Sequence, residues 1–288
     1  MRTFFKYVIK ERLSTSKEMT SIDKMDLEGK RVFLRTDLNV PIVGGSLSDL
    51  SRLEAVRDTI EHIIGQKASC VLASHIGRPE KQDEKLSTRL LVPHLDEMLG
   101  IKTKFVDNCI GEHVDDAKQK LRQGELLLLE NLRFHRGEYD NDIGFAESLS
   151  TFCDVYINDA FATCHRSHAS LVGIVQFFKE NVGIGIRMEK ELNALDRILT
   201  YPKSPFTIVI GGSKVCTKIG LLKSLVPIVD NILIGGAMAN TFLFSKGFKI
   251  GRSLVEESLK PTALKILDKA EKYSCKVILP TDVIIAKE

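Results

Sequence analysis

The stretch ELLLLENLRF, residues 125–134, decides how this chain is built. Four leucines in succession between Glu125 and Glu130 leave no polar face. So short and apolar a run reads as a strand buried on both sides, as strands of parallel sheets are. It ends on Glu130-Asn131-Leu132-Arg133-Phe134, which sets an arginine just past the strand's carboxyl end.

Working outward, the same alternation repeats. Arg31–Arg35 (RVFLR), Ser69–Ser74, Lys104–Val106 and Asp154–Asn158 read as strands. Asp49–Ile64 reads as a helix with Leu50, Leu53, Val56, Ile60 and Ile63/Ile64 on one face. Ser87 caps a helix ending near Leu99-Gly100, and Asp142–Phe152 is helical. Such alternation predicts βαβ units and a parallel sheet with helices on both faces. From Arg187 to Thr200 runs a helix striped by Met188, Leu192, Leu195 and Leu199, broken by Tyr201-Pro202-Lys203-Ser204-Pro205. A second series follows: strand Phe206–Ile210, helix Thr217–Leu225, strand Asn231–Ile234, helices Met238–Lys246 and Glu257–Tyr273, strand Lys276–Leu279. Asp282–Glu288 (DVIIAKE) reads as one more strand, after which the series stops short of a full domain. The expected organisation is α/β, with two Rossmann-like parallel-sheet three-layer domains, the second incomplete. Residues 1–24 form an N-terminal extension, 25–186 an anion-binding domain, 187–205 an interdomain helix and hinge, and 206–288 a partial nucleotide-binding domain.

Composition narrows the function. The 288 residues carry a net charge of +3 with acidic and basic residues interspersed, which argues against a nucleic-acid partner. No apolar run is long enough to span a membrane. Six scattered cysteines without a C-x-x-C pair fit a reducing cytoplasm. Met1–Thr20 sets five Lys/Arg against two Glu, without the apolar core of a signal peptide, and reads as a loosely held extension.

Several segments place cations after strands: Arg35-Thr36-Asp37-Leu38-Asn39-Val40-Pro41, Arg52, Ser74-His75-Ile76-Gly77-Arg78-Pro79, Arg133, and Asp159 to His168. A parallel sheet gathers the carboxyl ends of its strands at one edge, where ligands bind. Arginines converging there hold a small, highly charged anion. Each segment alone has another reading. Asn39 and Pro41 can staple a loop, Arg35 can pair with Asp37, His75 can be a core histidine, and Arg133 a surface ion pair. His165 and His168 lack a third zinc ligand, and Cys164 reads as filler rather than nucleophile. In the second series, Gly211-Gly212-Ser213-Lys214-Val215-Cys216-Thr217-Lys218 follows a strand. Glycines admit a close ligand, and the following helix offers free N–H groups to phosphate. Lys214 and Lys218, read as one helical turn apart, would face the same phosphates; a tight turn with solvated lysines is the alternative. Gly235-Gly236-Ala237 repeats the strand–glycine–helix pattern.

In this order, RTDLNVP, SHIGRP, ENLRF, NDAFATCHRSHAS, MEKEL, GGSKVCTK, GGAMANTF and LPTDV resemble the phosphoglycerate kinases, from about Met25 onward. The resemblance implies a two-domain enzyme passing a phosphoryl group between ATP and 3-phosphoglycerate, with magnesium accompanying the nucleotide. It implies that Asp37, Asn39, Arg52, His75, Arg78, Arg133 and Arg166 bind the acid, and that Gly212, Lys214, Lys218 and Gly236 serve the nucleotide. Arg52 and Lys218 would act on the moving phosphoryl as the domains close. Ala162 and Ala237 stand where the family usually has glycine, and Leu38 where it has phenylalanine. The family continues beyond Glu288 through the segment with its magnesium-binding aspartate. The expectation is thus a truncated chain, monomeric once completed, with a fragment that only binds 3-phosphoglycerate as the alternative.

Overall fold

Along strand β1 (Arg31–Thr36), Val32 and Leu34 enter one core while Phe33 enters another, and every residue from Val32 to Thr36 is buried. Successive side chains of a strand point to opposite faces, so both faces of this sheet are covered. The structure, a computed structural model, describes residues 20–284 and 286, except 45 and 201. The expected N-terminal extension lies, up to Met19, outside the described residues. Residues 21–24 do not stand free: Ser21 bridges to Ile184 and Ile22 is fully buried. Two compact units result, one Lys17–Asn193, the other including Ala194–Glu288.

In the first unit, β1 is followed by a small antiparallel pair, β2 (Ile42–Val43) and β3 (Ser46–Leu47), then by β4 (Ser69–Ala73), β5 (Thr103–Val106), β6 (Leu126–Leu129), β7 (Val155–Asp159) and β8 (Val182–Ile184). Six of these form one parallel sheet in the order β5-β6-β4-β1-β7-β8. Helices α1 (Ser51–Gly65) and α2 (Val92–Leu99) bring Leu53, Val56, Ile60, Ile63 and Leu95 against Val32, Leu34, Leu72, Leu126 and Leu128. On the other face α3 (Glu112–Gln119) and α5 (Ile143–Ser150) bring Val114, Phe145 and Leu149 against Phe33, Val71, Leu127, Leu129 and Tyr156. Between them lies the short α4 (Arg136–Asp140). Each fully buried aliphatic or aromatic side chain contributes about 1.5–3 kcal/mol. Local signals agree: the Ser87 hydroxyl accepts from Arg89 N, Asp142 caps α5 through Phe145 N, and Gly100 ends α2 in the left-handed region at φ 65°.

Helix α6 (Ile186–Thr200) contains the division between the units. Of its expected stripe, Met188 is buried but Leu195 is exposed. In the second unit β9 (Thr207–Ile210), α7 (Ile219–Leu225), β10 (Asn231–Ile234), α8 (Ala237–Ser245), α9 (Lys260–Lys272) and β11 (Lys276–Ile278) form a parallel sheet in the order β11-β10-β9 with its helices. One face packs Ile210, Ile232 and Ile234 on Val226, Met238, Phe242 and Ile266. The register sets Leu233 beside both Val209 and Ile278 on the opposite face, where Val209 is 76% exposed. This is the incomplete form of the layered plan. The strand expected at 282–288 does not form over its described residues: Asp282, Val283, Ile284 and Ala286 pair with no neighbour, and Ile284 is fully exposed. Apolar composition favours a strand, but a strand needs a ladder partner.

Candidate anion and nucleotide sites

Past the carboxyl end of β1 the chain is fixed by side chains rather than by the sheet. Ser74 Oγ donates to Thr36 O at 2.9 Å and accepts from Leu38 N at 2.8 Å, tying the ends of β1 and β4 together. Asn39 Oδ1 accepts from Gly77 N at 2.7 Å, so the two loops of the expected set touch directly. Asp37 takes the Arg52 guanidinium through Oδ2, and its Oδ1 lies 3.9 Å from His75 Nε2. The Glu130 carboxylate caps Thr88 N at 2.8 Å, and Asn131 Nδ2 donates to Ile76 O and Leu86 O, both at 2.8 Å. ENLRF is therefore a staple for the SHIGRP loop as well as the carrier of an arginine. Arg133 NH1 donates to Gly77 O at 2.6 Å, and its guanidinium lies over the Tyr139 ring.

Asp37, Asn39, Arg52, His75 and Arg133 are thus linked by direct contacts or one shared loop. Arg166, half-buried, follows the β7 end, and its charge acts on Arg133. Arg78 is exposed and is not drawn into these contacts. Two nitrogens stand out: Arg133 Nε and Arg166 Nε are buried without a hydrogen-bond partner among the described residues. Burial first, then the charges of Arg166 and Arg35, pulls Arg133 below the usual arginine range, though an arginine remains charged at neutral pH. Burial foremost, then Arg35, Arg133, His168 and Arg52, keeps the His75 ring neutral.

Arg35 does not take up the pairing with Asp37 that the sequence left open as an alternative. It is fully buried, donates through Nε to Ser170 Oγ at 2.7 Å and through NH1 to Thr36 O, and lies 3.8 Å from Glu138 Oε1. Asp37 lies past the strand's end and is taken by Arg52 instead. Glu138, also fully buried, accepts from Ser170 N at 2.9 Å and Ser170 Oγ at 2.7 Å. Sequence reasoning missed Glu138. Its sole hint is an acid within the short polar stretch HRGEYD, where nothing announces burial.

In the second unit the two Gly-Gly turns lie against each other. Gly212 has φ 147° and Gly236 φ 64°, and Met238 N donates to Gly212 O at 2.8 Å. The premise for Lys214 and Lys218 needs correcting, because helix α7 begins at Ile219 rather than Thr217. Residues 216–218 form a turn, closed by Lys218 N donating to Val215 O at 2.8 Å, and Thr217 Oγ1 donates to Lys214 O at 3.1 Å. Glu256 explains the delay: its carboxylate accepts from Val215 N and from Cys216 N, holding the loop outside helical geometry. Glu256 too was missed from sequence. A cavity of about 840 Å³ opens beside Gly236, Ala237, Asn240, Ser253, Leu254 and Pro280. Gly236 thus lines a pocket, whereas Gly212, Lys214 and Lys218 lie outside its lining.

Comparison with known proteins places this geometry. The family model for phosphoglycerate kinase matches residues 22–288. The chain belongs to the phosphoglycerate kinase family. It is 45% identical over 266 residues to a phosphoglycerate kinase of Xanthobacter flavus, covering 92% of this chain and 66% of that protein. Against cytosolic phosphoglycerate kinase 3 of Arabidopsis thaliana it is 43% identical over 275 residues, covering 95% and 68%. The solved phosphoglycerate kinase of Coxiella burnetii superposes with a TM-score of 0.81 at 36% identity, over 94% of this chain and 68% of that one. The chain therefore spans about two-thirds of the length of these family members.

Proposed function

We propose that this chain carries the phosphoglycerate kinase reaction, the reversible transfer of the terminal phosphoryl group of ATP to the carboxylate of 3-phosphoglycerate, giving ADP and 1,3-bisphosphoglycerate. The observation that carries the reading is the cation set at the carboxyl edge of the first sheet, where Arg133 and Arg166 keep buried donors unused. A small dianion with a carboxylate fits such donors through charge-assisted bonds. In this proposal Asp37 and Asn39 take the acid's hydroxyl and orient Arg52, while Arg52, His75, Arg78, Arg133 and Arg166 take its charged groups. Gly212, Lys214, Lys218 and Gly236 serve the nucleotide, whose base and ribose suit the cavity beside Gly236 and Asn240.

Phosphoryl transfer asks the protein to position groups and neutralise charge. The carboxylate oxygen attacks phosphorus in line as the bond to ADP breaks, with no covalent enzyme intermediate. Arg52 and Lys218 neutralise the transferring group from the acid and nucleotide sides. Among the described residues no group of three or more His, Cys, Asp or Glu could hold a metal ion. In this proposal magnesium enters with the nucleotide, as Mg-ATP or Mg-ADP. On the same proposal the reaction belongs to glycolysis and gluconeogenesis in the cytoplasm, and the protein acts as a monomer without nucleic-acid or membrane partners. Among the described residues no helix is long and apolar enough to cross a membrane.

The open face of the second sheet favours a second reading, in which these residues bind 3-phosphoglycerate without turning it over. A coupled assay of ATP-dependent 3-phosphoglycerate phosphorylation, with Arg52→Ala as control, separates the two. Turnover lost in the variant supports the enzyme; no turnover despite saturable acid binding supports the binding module.

A further inference from the structure

The buried Arg35–Glu138 pair lies outside the proposed acid-binding set yet reaches it through one contact. Arg35 NH2 stands 3.5 Å from His75 Nδ1, deep under the sheet edge. A guanidinium has donors and no acceptor, so the ring nitrogen facing it must be the acceptor. A neutral imidazole then carries its proton on Nε2, the nitrogen on the Asp37 side. Arg35 cannot swing away, because Ser170 Oγ and Thr36 O hold two of its nitrogens. Ser170 is itself held at both N and Oγ by Glu138.

We propose that Arg35, seated by Glu138 and Ser170, is a positioning residue that fixes His75 as its neutral Nε2–H tautomer, so that an uncharged donor faces the bound anion. Arg35, Arg52, Arg133 and His168 all oppose a second proton on the ring, against the Asp37 carboxylate, which faces it at 3.9 Å from the loop past β1 and favours one. An anion would thus meet His75 in one protonation state across the physiological range. The ring's state is independent of the acid-binding reading; only its use by 3-phosphoglycerate rests on that reading.

The test is a long-range ¹H–¹⁵N spectrum of the full chain labelled at histidine, recorded from about pH 5 to about pH 8. The expected His75 signal is a neutral ring with Nδ1 unprotonated throughout. Arg35→Met combined with Glu138→Gln removes the pair without leaving a lone buried charge, and should let the neutral ring carry its proton on Nδ1 as well as on Nε2. A wild-type ring carrying its proton on Nδ1, or titrating near the ordinary 6.5, overturns the proposal. So does a double variant whose His75 signal matches the wild type. The wild-type spectrum decides the tautomer even if the double variant fails to fold. A ring fixed as described that ignores added 3-phosphoglycerate upholds the positioning and refutes the acid-binding reading instead.

Discussion

A Cβ placed on Gly236 would sit 3.1 Å from both the backbone N and O of Gly212, so the second unit's two glycine turns touch main chain to main chain. Gly236 also has φ 64° with ψ −165°, a region essentially reserved for glycine that costs other residues roughly 1–3 kcal/mol. Neither neighbour atom belongs to a flexible side chain that could yield. Gly236→Ala should therefore push the turns apart and weaken ATP binding at least tenfold, read by calorimetry. Gly235→Ala, with nothing within 4 Å of its added Cβ, is the control and should bind nearly as the wild type. Equal affinities for the two variants would refute the close approach.

Glu138 makes acid stability testable. Burial opposes its ionisation, but His168, Arg35 and Ser170 outweigh burial and hold its carboxyl below the ordinary 4.5. A depressed carboxyl contributes stability above its unfolded pKa, and that share is lost as pH falls through the folded value. Glu138→Gln leaves Arg35 buried without its counter-ion, a loss of about 3–5 kcal/mol near neutral pH. Urea midpoints measured at falling pH should also decline less steeply in the variant below about pH 4.5. Parallel curves for the two proteins would assign acid sensitivity to other carboxylates.

Cys216 reports on the loop that Glu256 holds. The thiol is exposed, and its pKa is raised first by its hydrogen bond to Glu256. Glu256→Ala should lower that pKa and increase the thiolate fraction. Alkylation of Cys216 near neutral pH should then speed up by up to roughly tenfold for each unit of pKa. Val215 and Cys216 amides should exchange faster as well. Unchanged alkylation and exchange would mean that the loop holds itself.

Across the open face of the second sheet, Val209, Leu233 and Ile278 form one row. An uncovered apolar row on a sheet attracts dye and other chains. Val209→Thr with Ile278→Thr keeps β-branched side chains, and should cut binding of a hydrophobic dye by half or more while leaving far-ultraviolet circular dichroism unchanged. Full dye binding in the double variant would place the sticky surface elsewhere.

The central strands of the first sheet are readable from sequence because burial on both faces leaves runs such as LLLL and VFL with no polar position. What escapes the sequence is whatever tertiary pairing alone defines. Helix α3 reads as polar (EHVDDAKQ) because one of its two buried side chains is Lys118, whose Nζ donates to Ser148 O and Leu149 O at the end of α5. Strand β8 is three residues, VGI, made a strand by its partner β7. Asp282, Val283 and Ile284 err the other way, with strand composition and no ladder. At the sheet edge, the candidate residues Asp37, Asn39, Arg52, His75, Arg133 and Arg166 are legible from strand ends and motif order. Glu138, Ser170 and Glu256 act from beneath, through contacts between residues far apart in the chain, and no local pattern marks them.

The most direct test of the account is calorimetric titration of the purified chain with 3-phosphoglycerate, alongside Arg133→Ala. Saturable binding that weakens with salt is expected, with an affinity loss of about tenfold to a hundredfold or more in the variant, the scale of one charge-assisted contact at 1.5–3 kcal/mol. A folded first unit that takes up no 3-phosphoglycerate, or binds it equally well without Arg133, would contradict it.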